Sequence, residues 1–287
     1  MVSKLPTHNA QTITEYIDSH QANLHADDSD AADDSYKFAF DDEDFLLRRE
    51  TLGLRFQLEL LKPEILLHEH GIEHTITVFG STRFVSKSVA EKMEKNAKTP
   101  EQISEAKRAM LHNKFYESAR EFGEIVARYN LAQENPRDKL HIASGGGPGI
   151  MEAASRGAFE LGDKTIGFNI SLPREQQPNL YLTPGLSFRF HYFAIRKMHF
   201  MLRARAIVAY PGGFGSFDEL FEALTLMQTK KVKCFPIILV GEDFWCDIIH
   251  FKKMMEFGVI DQEDMKLIHF VESAEDAWKI IQDWYAL

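Results

Sequence analysis

Seven short runs punctuate the chain between residues 74 and 273: "HTITVFGS", "LHIASGGG", "TIGFNISL", "LSFRFHYF", "AIVAYPGG", "PIILVG" and "IHFVES". Most are continuously apolar, and all are too short for buried helices. Segments of helical character lie between them, among them "PGIMEAASRGAFELG", "AIRKMHFMLRA", "SFDELFEALTLMQT" and "DFWCDIIHFKKMMEFG". A last helix is expected over "SAEDAWKIIQDWYAL", with Ser273 as its N-cap. Apolar strands alternating with helices predict an α/β fold. The expected architecture is a doubly wound, Rossmann-like, mostly parallel sheet with helices on both faces. In such sheets ligands bind beyond the carboxyl ends of the strands. Three of those ends are unusual here, "FGSTR", "ASGGGPG" and "YPGGFGS", and the fold puts them on one rim.

The chain before the first strand reads differently. Residues 1–36 carry one lysine and seven acids and lack large apolar residues at any regular spacing, so they are expected to form a flexible acidic arm. Residues 37–70 hold Phe45, Leu46, Leu52, Phe56 and Leu60 at helical spacing, an N-terminal helical layer that Pro63 is expected to divide. Residues 71–287 form the expected catalytic domain. A net charge of −10 argues against a nucleic-acid partner. No run approaches the ~20 residues that a membrane span needs. Two cysteines, Cys234 and Cys246, and no apolar leader suggest a cytoplasmic protein with reduced thiols.

Glycine lets the backbone turn sharply and lets a ligand come close to it. A helix that follows offers free N–H groups and a partial positive charge, which suits phosphate. A tight strand-to-helix turn is the alternative for any one such loop, but three on one rim favour an anion site. Pro148 suits the first turn of the helix after the second loop. Position 150 is isoleucine, so GxGxxG is not met from Gly145, and no Gly-Lys-Ser/Thr occurs. Dinucleotide and P-loop readings are therefore disfavoured. Ser216 and Glu219 fit a capping box, which would satisfy backbone N–H groups and nothing more. Arg196, in an apolar helix, needs an anionic partner. His70 and His74 are four apart, but Gly71 between them spoils a helical metal pair, and no metal site is expected.

Taken together, "SGGGPGIMEAASRGA", "RKMHFM" and "PGGFGSFDE" resemble the LOG (Lonely Guy) family of nucleoside 5′-monophosphate phosphoribohydrolases, long mislabelled lysine decarboxylases. The longer bacterial members are the more similar, since the chain adds an N-terminal extension and an insertion around 84–110. The resemblance implies hydrolysis of an N-glycosidic bond, giving free base and ribose 5-phosphate, in a homodimer without cofactor. It places the catalytic pair at Arg196 and Glu219. Substrate contacts fall on Gly80, Ser81, Arg83, Gly145, Gly146, Gly147, Lys197, Gly212, Gly213, Gly215 and Ser216. A carrier that binds a nucleotide or cofactor without hydrolysing it is the alternative on the same scaffold. The arm should be dispensable for folding: a chain beginning at Tyr36 should keep its Tm within a few degrees of the full chain's. A large drop, or insoluble protein, would show that the arm packs.

Overall fold

The computed structural model describes Ser35 and residues 37–172 and 177–287. The acidic arm thus lies outside the described residues apart from Ser35. The described residues fall into two compact units that divide between Arg55 and Phe56.

In the smaller unit one helical turn, Glu43–Leu46, is capped by the Asp42 carboxylate, which accepts from the Phe45 N–H at 2.9 Å. The Arg55 guanidinium donates to the carbonyls of Leu46 and Arg48 just beyond that turn. These bonds satisfy carbonyls that the helix end leaves open.

The larger unit is built on seven strands: β1 (Thr75–Phe79), β2 (His141–Ser144), β3 (Thr165–Ile170), β4 (Ser187–Phe190), β5 (Ala204–Ala209), β6 (Ile237–Val240) and β7 (Ile268–Val271). They run in the order β4-β3-β2-β1-β5-β6-β7, and every pairing is parallel. Strands β1, β2 and β6 are buried throughout, β6 as an unbroken apolar run and β1 and β2 with Thr75, Thr77, His141 and Ser144 buried among apolar residues. Edge strand β4 alternates, with Phe188 and Phe190 in and Ser187 and Arg189 out.

Helices cover both faces. On one lie α3 (Pro100–Leu131), α4 (Ile150–Glu160) and α9 (Ala274–Tyr285), whose Phe122, Val126, Ala154 and Trp278 share a core with Ile76 and Val208. On the other lie α1 (Leu52–Glu69), α5 (Phe193–Leu202), α6 (Phe214–Gln228) and α7 (Glu242–Ile248), where Leu67, Phe200, Leu220 and Trp245 pack on Phe79 and Ile207. Helix α2 (Lys87–Asn96) precedes α3, and α8 (Phe251–Glu256) follows α7. Ser273 caps α9 as expected, accepting from the Asp276 N–H at 3.0 Å. The chain leaves β1 toward β4 and returns to β5, so the switch in strand order lies between β1 and β5.

Three local expectations change. Helix α1 runs unbroken through Pro63. Proline removes the N–H that would bond the carbonyl four residues back, here that of Glu59. The buried His199 ring supplies the missing donor, with Nε2 3.2 Å from the Glu59 carbonyl oxygen. The segment expected as one helix after β6 is split at Ile249 into α7 and α8, because the Ile249 N–H bonds back to the Trp245 carbonyl while its own backbone turns extended. Helix α4 starts at Ile150 behind Gly149, so Pro148 lies before the helix.

The Pro63 substitute is testable by urea unfolding. His199→Phe keeps the ring contacts with Phe168 and Phe190 but leaves the half-buried Glu59 carbonyl without this donor, and should cost about 1 kcal/mol. In a Pro63→Ala background the cost should shrink, because alanine at that position restores the N–H. Equal costs in both backgrounds would refute the link.

Candidate active site

The loops after β1, β2 and β5 are tied to one another at the rim. The Ser81 N–H donates to the Pro211 carbonyl at 3.0 Å, and the Ser81 carbonyl accepts from the Ile150 N–H at 3.1 Å. Between them opens a cavity of about 1290 Å³. Gly80, Ser81 and Arg83 line it from the first loop, Gly145 and Gly147 from the second, and Gly212, Gly213 and Gly215 from the third. Arg196 enters from α5, Ser216 and Glu219 from α6.

Gly146 and Lys197, expected among the binding residues, do not line it. The Gly146 carbonyl accepts from the Asn179 N–H at 2.9 Å. Lys197 pairs with Asp218 and Glu222, each at 2.8 Å, and so fastens α5 to α6. Sequence reading passed over Asn169, which lines the cavity from the end of β3 and donates through Nδ2 to the Ser187 hydroxyl at 3.2 Å. Its signal was a lone amide in an apolar strand at the rim end. It also passed over Phe84, His112 and Phe115, on the cavity wall.

Helix α6 begins at Phe214 with Gly213 as N-cap, and no side chain caps it. Ser216 is therefore the third helical residue, and the Ser216–Glu219 capping box does not form. No acid occupies the first turn, so the positive end of the helix faces the cavity uncompensated.

The Arg196 guanidinium is clamped. Nε donates to the Phe168 carbonyl at 2.6 Å, and the plane lies over the Phe200 ring at 4.9 Å. A Cβ at Gly145 would stand 2.7 Å from Arg196 Nη2 and 2.8 Å from Met151 Sδ, so a larger residue there would displace both side chains. Nη1 is 3.7 Å from Glu219 Oε1, too far for a hydrogen bond. The Glu219 side chain is only 9% exposed. Burial pushes its carboxyl from the ordinary 4.5 up to about 7, against the pull of Arg196 and Lys197. Burial likewise lowers the Arg196 pKa, against the pull of Glu219. Each charge loses more hydration than this loose pair returns.

The His74 ring meets Arg205 at 3.0 Å, and the His70 backbone carbonyl accepts from Lys164. Among the described residues no group of three His, Cys, Asp or Glu side chains could hold a metal ion, and no helix is long and apolar enough to cross a membrane.

Residues 151–281 match the family model described as possible lysine decarboxylase. The match is consistent with a LOG-family protein. It bears out the resemblance drawn from "RKMHFM" and "PGGFGSFDE", both inside the matched segment. Similar solved structures include the molybdenum cofactor binding protein from Rippkaea orientalis, 18% identical over 74% of this chain and 96% of that one, TM-score 0.45. The Moco carrier protein from Chlamydomonas reinhardtii is 20% identical over 75% and 98%, TM-score 0.43. At this level of likeness nothing about a ligand passes from them to this chain. No curated protein matches the chain.

The raised Glu219 carboxyl makes a prediction. Its neutral form is the one folding favours, so the stability it lends is full below the unfolded value of 4.5 and lost as pH rises through about 7. Across that window the wild type should lose on the order of 3 kcal/mol that Glu219→Gln retains. Parallel pH profiles of unfolding free energy would show that Glu219 is not held in this state.

Proposed function

We propose that the protein hydrolyses the N-glycosidic bond of nucleoside 5′-monophosphates, releasing free base and ribose 5-phosphate. The observation that carries this reading is the buried Arg196–Glu219 pair, set in a cavity ringed by three glycine loops and the uncapped start of α6. The loops and the α6 N–H groups suit the 5′-phosphate. Breaking the C1′–N bond builds positive charge on the ribose, as in other glycoside hydrolyses. Ionised Glu219 stabilises that charge and takes a proton from the attacking water. The water oxygen bonds to C1′ and keeps its other proton, while the departing base carries away the bond's electron pair and takes up, directly or through water, the proton that Glu219 accepted, which leaves Glu219 ionised again. Arg196, held by Phe168 and Phe200, orients phosphate or ribose. Phosphate contacts remote from the reacting bond fix the geometry. We take the assembly to be the homodimer that the family resemblance implies, with the exposed Phe193, Met198 and Leu202 of α5 as candidates for its interface.

The direct test is incubation with AMP and separation of adenine from residual nucleotide. Activity should rise with pH through about 7 as Glu219 ionises. Glu219→Gln should lower turnover at least ~100-fold, about 2.7 kcal/mol of transition-state stabilisation, while AMP still binds. Arg196→Ala should also lower kcat/KM, and the double variant should lose less than the product of the two. Near-wild-type hydrolysis by Glu219→Gln would sink the mechanism.

A further inference from the structure

Helix α6 carries three acids within five residues, Asp218, Glu219 and Glu222. Asp218 adjoins Glu219 in the chain, and Glu222, three residues on, is its neighbour along the helix. Like charges so placed oppose one another's ionisation, and the middle acid is the buried one. Left alone, the outer two would hold Glu219 neutral.

Lys197 meets both of them. Its Nζ stands 2.8 Å from Asp218 Oδ1 and 2.8 Å from Glu222 Oε2, so one ammonium bridges the acids on either side of Glu219. A single bridge would fasten α5 to α6, and the second partner is what the charge balance around Glu219 needs. Burial pulls the Lys197 pKa down, but the bonds to Asp218 and Glu222 raise it on balance, so the ammonium keeps its charge while Glu219 titrates. Burial raises the Glu219 carboxyl most, Arg196 and Lys197 pull it down, and Asp218 and Glu222 push it up. Arg83 beyond β1, His112 and Lys114 on α3 and Asp243 on α7 line the same cavity, and all four stay in every variant below.

We propose that Lys197 is a positioning residue of this site: by bridging Asp218 and Glu222 it cancels the two negative charges beside Glu219 and leaves that carboxyl free to ionise. It acts through Glu219 and touches no substrate. The inference rests on the hydrolase reading only for its consequence, since that reaction uses ionised Glu219. Asp218 lines the cavity, so the deciding measurement is made without substrate.

Urea unfolding of the full chain is followed from about pH 4 to about pH 9, each variant beside its Glu219→Gln counterpart; Glu219 ionises in the fold where the two stability profiles stop diverging. For the wild type that point is about 7. Lys197→Met should move it up by about one unit, the low end of what a neighbouring charge does, and Lys197→Arg should leave it in place. Asp218→Asn combined with Glu222→Gln should move it down. The triple variant, Lys197→Met with Asp218→Asn and Glu222→Gln, separates charge from clamp. It has lost the fastening of α5 to α6 but also the charges that Lys197 cancels, so Glu219 should ionise at or below the wild-type pH. An unmoved point in Lys197→Met, or a triple variant that stays with Lys197→Met, would overturn the inference and leave Lys197 a clamp. If Lys197→Met does not fold, the Asp218→Asn, Glu222→Gln chain carries the test, and an unmoved point there overturns the inference equally. In AMP hydrolysis Lys197→Met should be about 5-fold slower at pH 7, because a shift of one unit cuts the ionised fraction from about one half to about one tenth. Its turnover should recover at about pH 9, which a displaced Arg196 or Glu219 would not allow. If the wild type does not hydrolyse AMP while the unfolding profiles move as stated, the hydrolase reading falls and the control of Glu219 by Lys197 stands.

Discussion

One residue, Ser81, holds the rim together through its backbone. Ser81 donates its N–H to the loop after β5 and accepts, through its carbonyl, from the first residue of α4. Where the strand order reverses, the connections after the two neighbouring strands leave toward opposite faces of the sheet, and a crevice opens between them in any doubly wound sheet. Here that opening is bridged by two backbone hydrogen bonds and not by side chains. The side-chain content of the rim is thereby left free for chemistry: glycines where a ligand approaches, Arg196 and Glu219 on the helices flanking β5, and aromatic rings on the side of α3.

The Arg196–Glu219 pair sits against the usual run of folding energetics. A salt bridge that stabilised the fold would be closer than 3.7 Å, with a depressed carboxyl pKa. This one is loose, buried and raised. The surrounding charges are better served. Lys197 is closed off by Asp218 and Glu222, and the Arg196 Nε by the Phe168 carbonyl. Of these groups, only the two that face the cavity are left incompletely paired. Such perturbed groups cluster where a protein acts on a ligand.

Much of this was legible in the residues. The sheet could be read because β1, β2 and β6 are buried on both faces, which calls for short strands rich in apolar residues. The motif could be read because two glycine clusters and Gly80 fall at strand ends. What could not be read depends on partners far along the chain. Helix α1 survives Pro63 because of a histidine that lies 140 residues beyond Glu59. The Ser216–Glu219 spacing looked like a cap until the helix start at Phe214 moved Ser216 inside it. The rings of Phe84, His112 and Phe115 stack on one another at the cavity, and none of the three stands out in its own stretch. That Glu219 titrates near neutrality is a property of its burial, and no local pattern encodes it.

Helix α1 grips α5 at both ends. The Glu59 carboxylate accepts from the His191 and Tyr192 N–H groups at the start of α5, and Glu64 meets Arg203 just past its end. These contacts span more than 130 residues of sequence. During synthesis α1 emerges first and must wait, its apolar stripe uncovered, until β4 and α5 have been made. Contacts of that separation are slow to close. The docking of α1 on α5 therefore waits for more than 130 residues of synthesis, and the interval before it is when α1 is most exposed to aggregation or to chaperone capture.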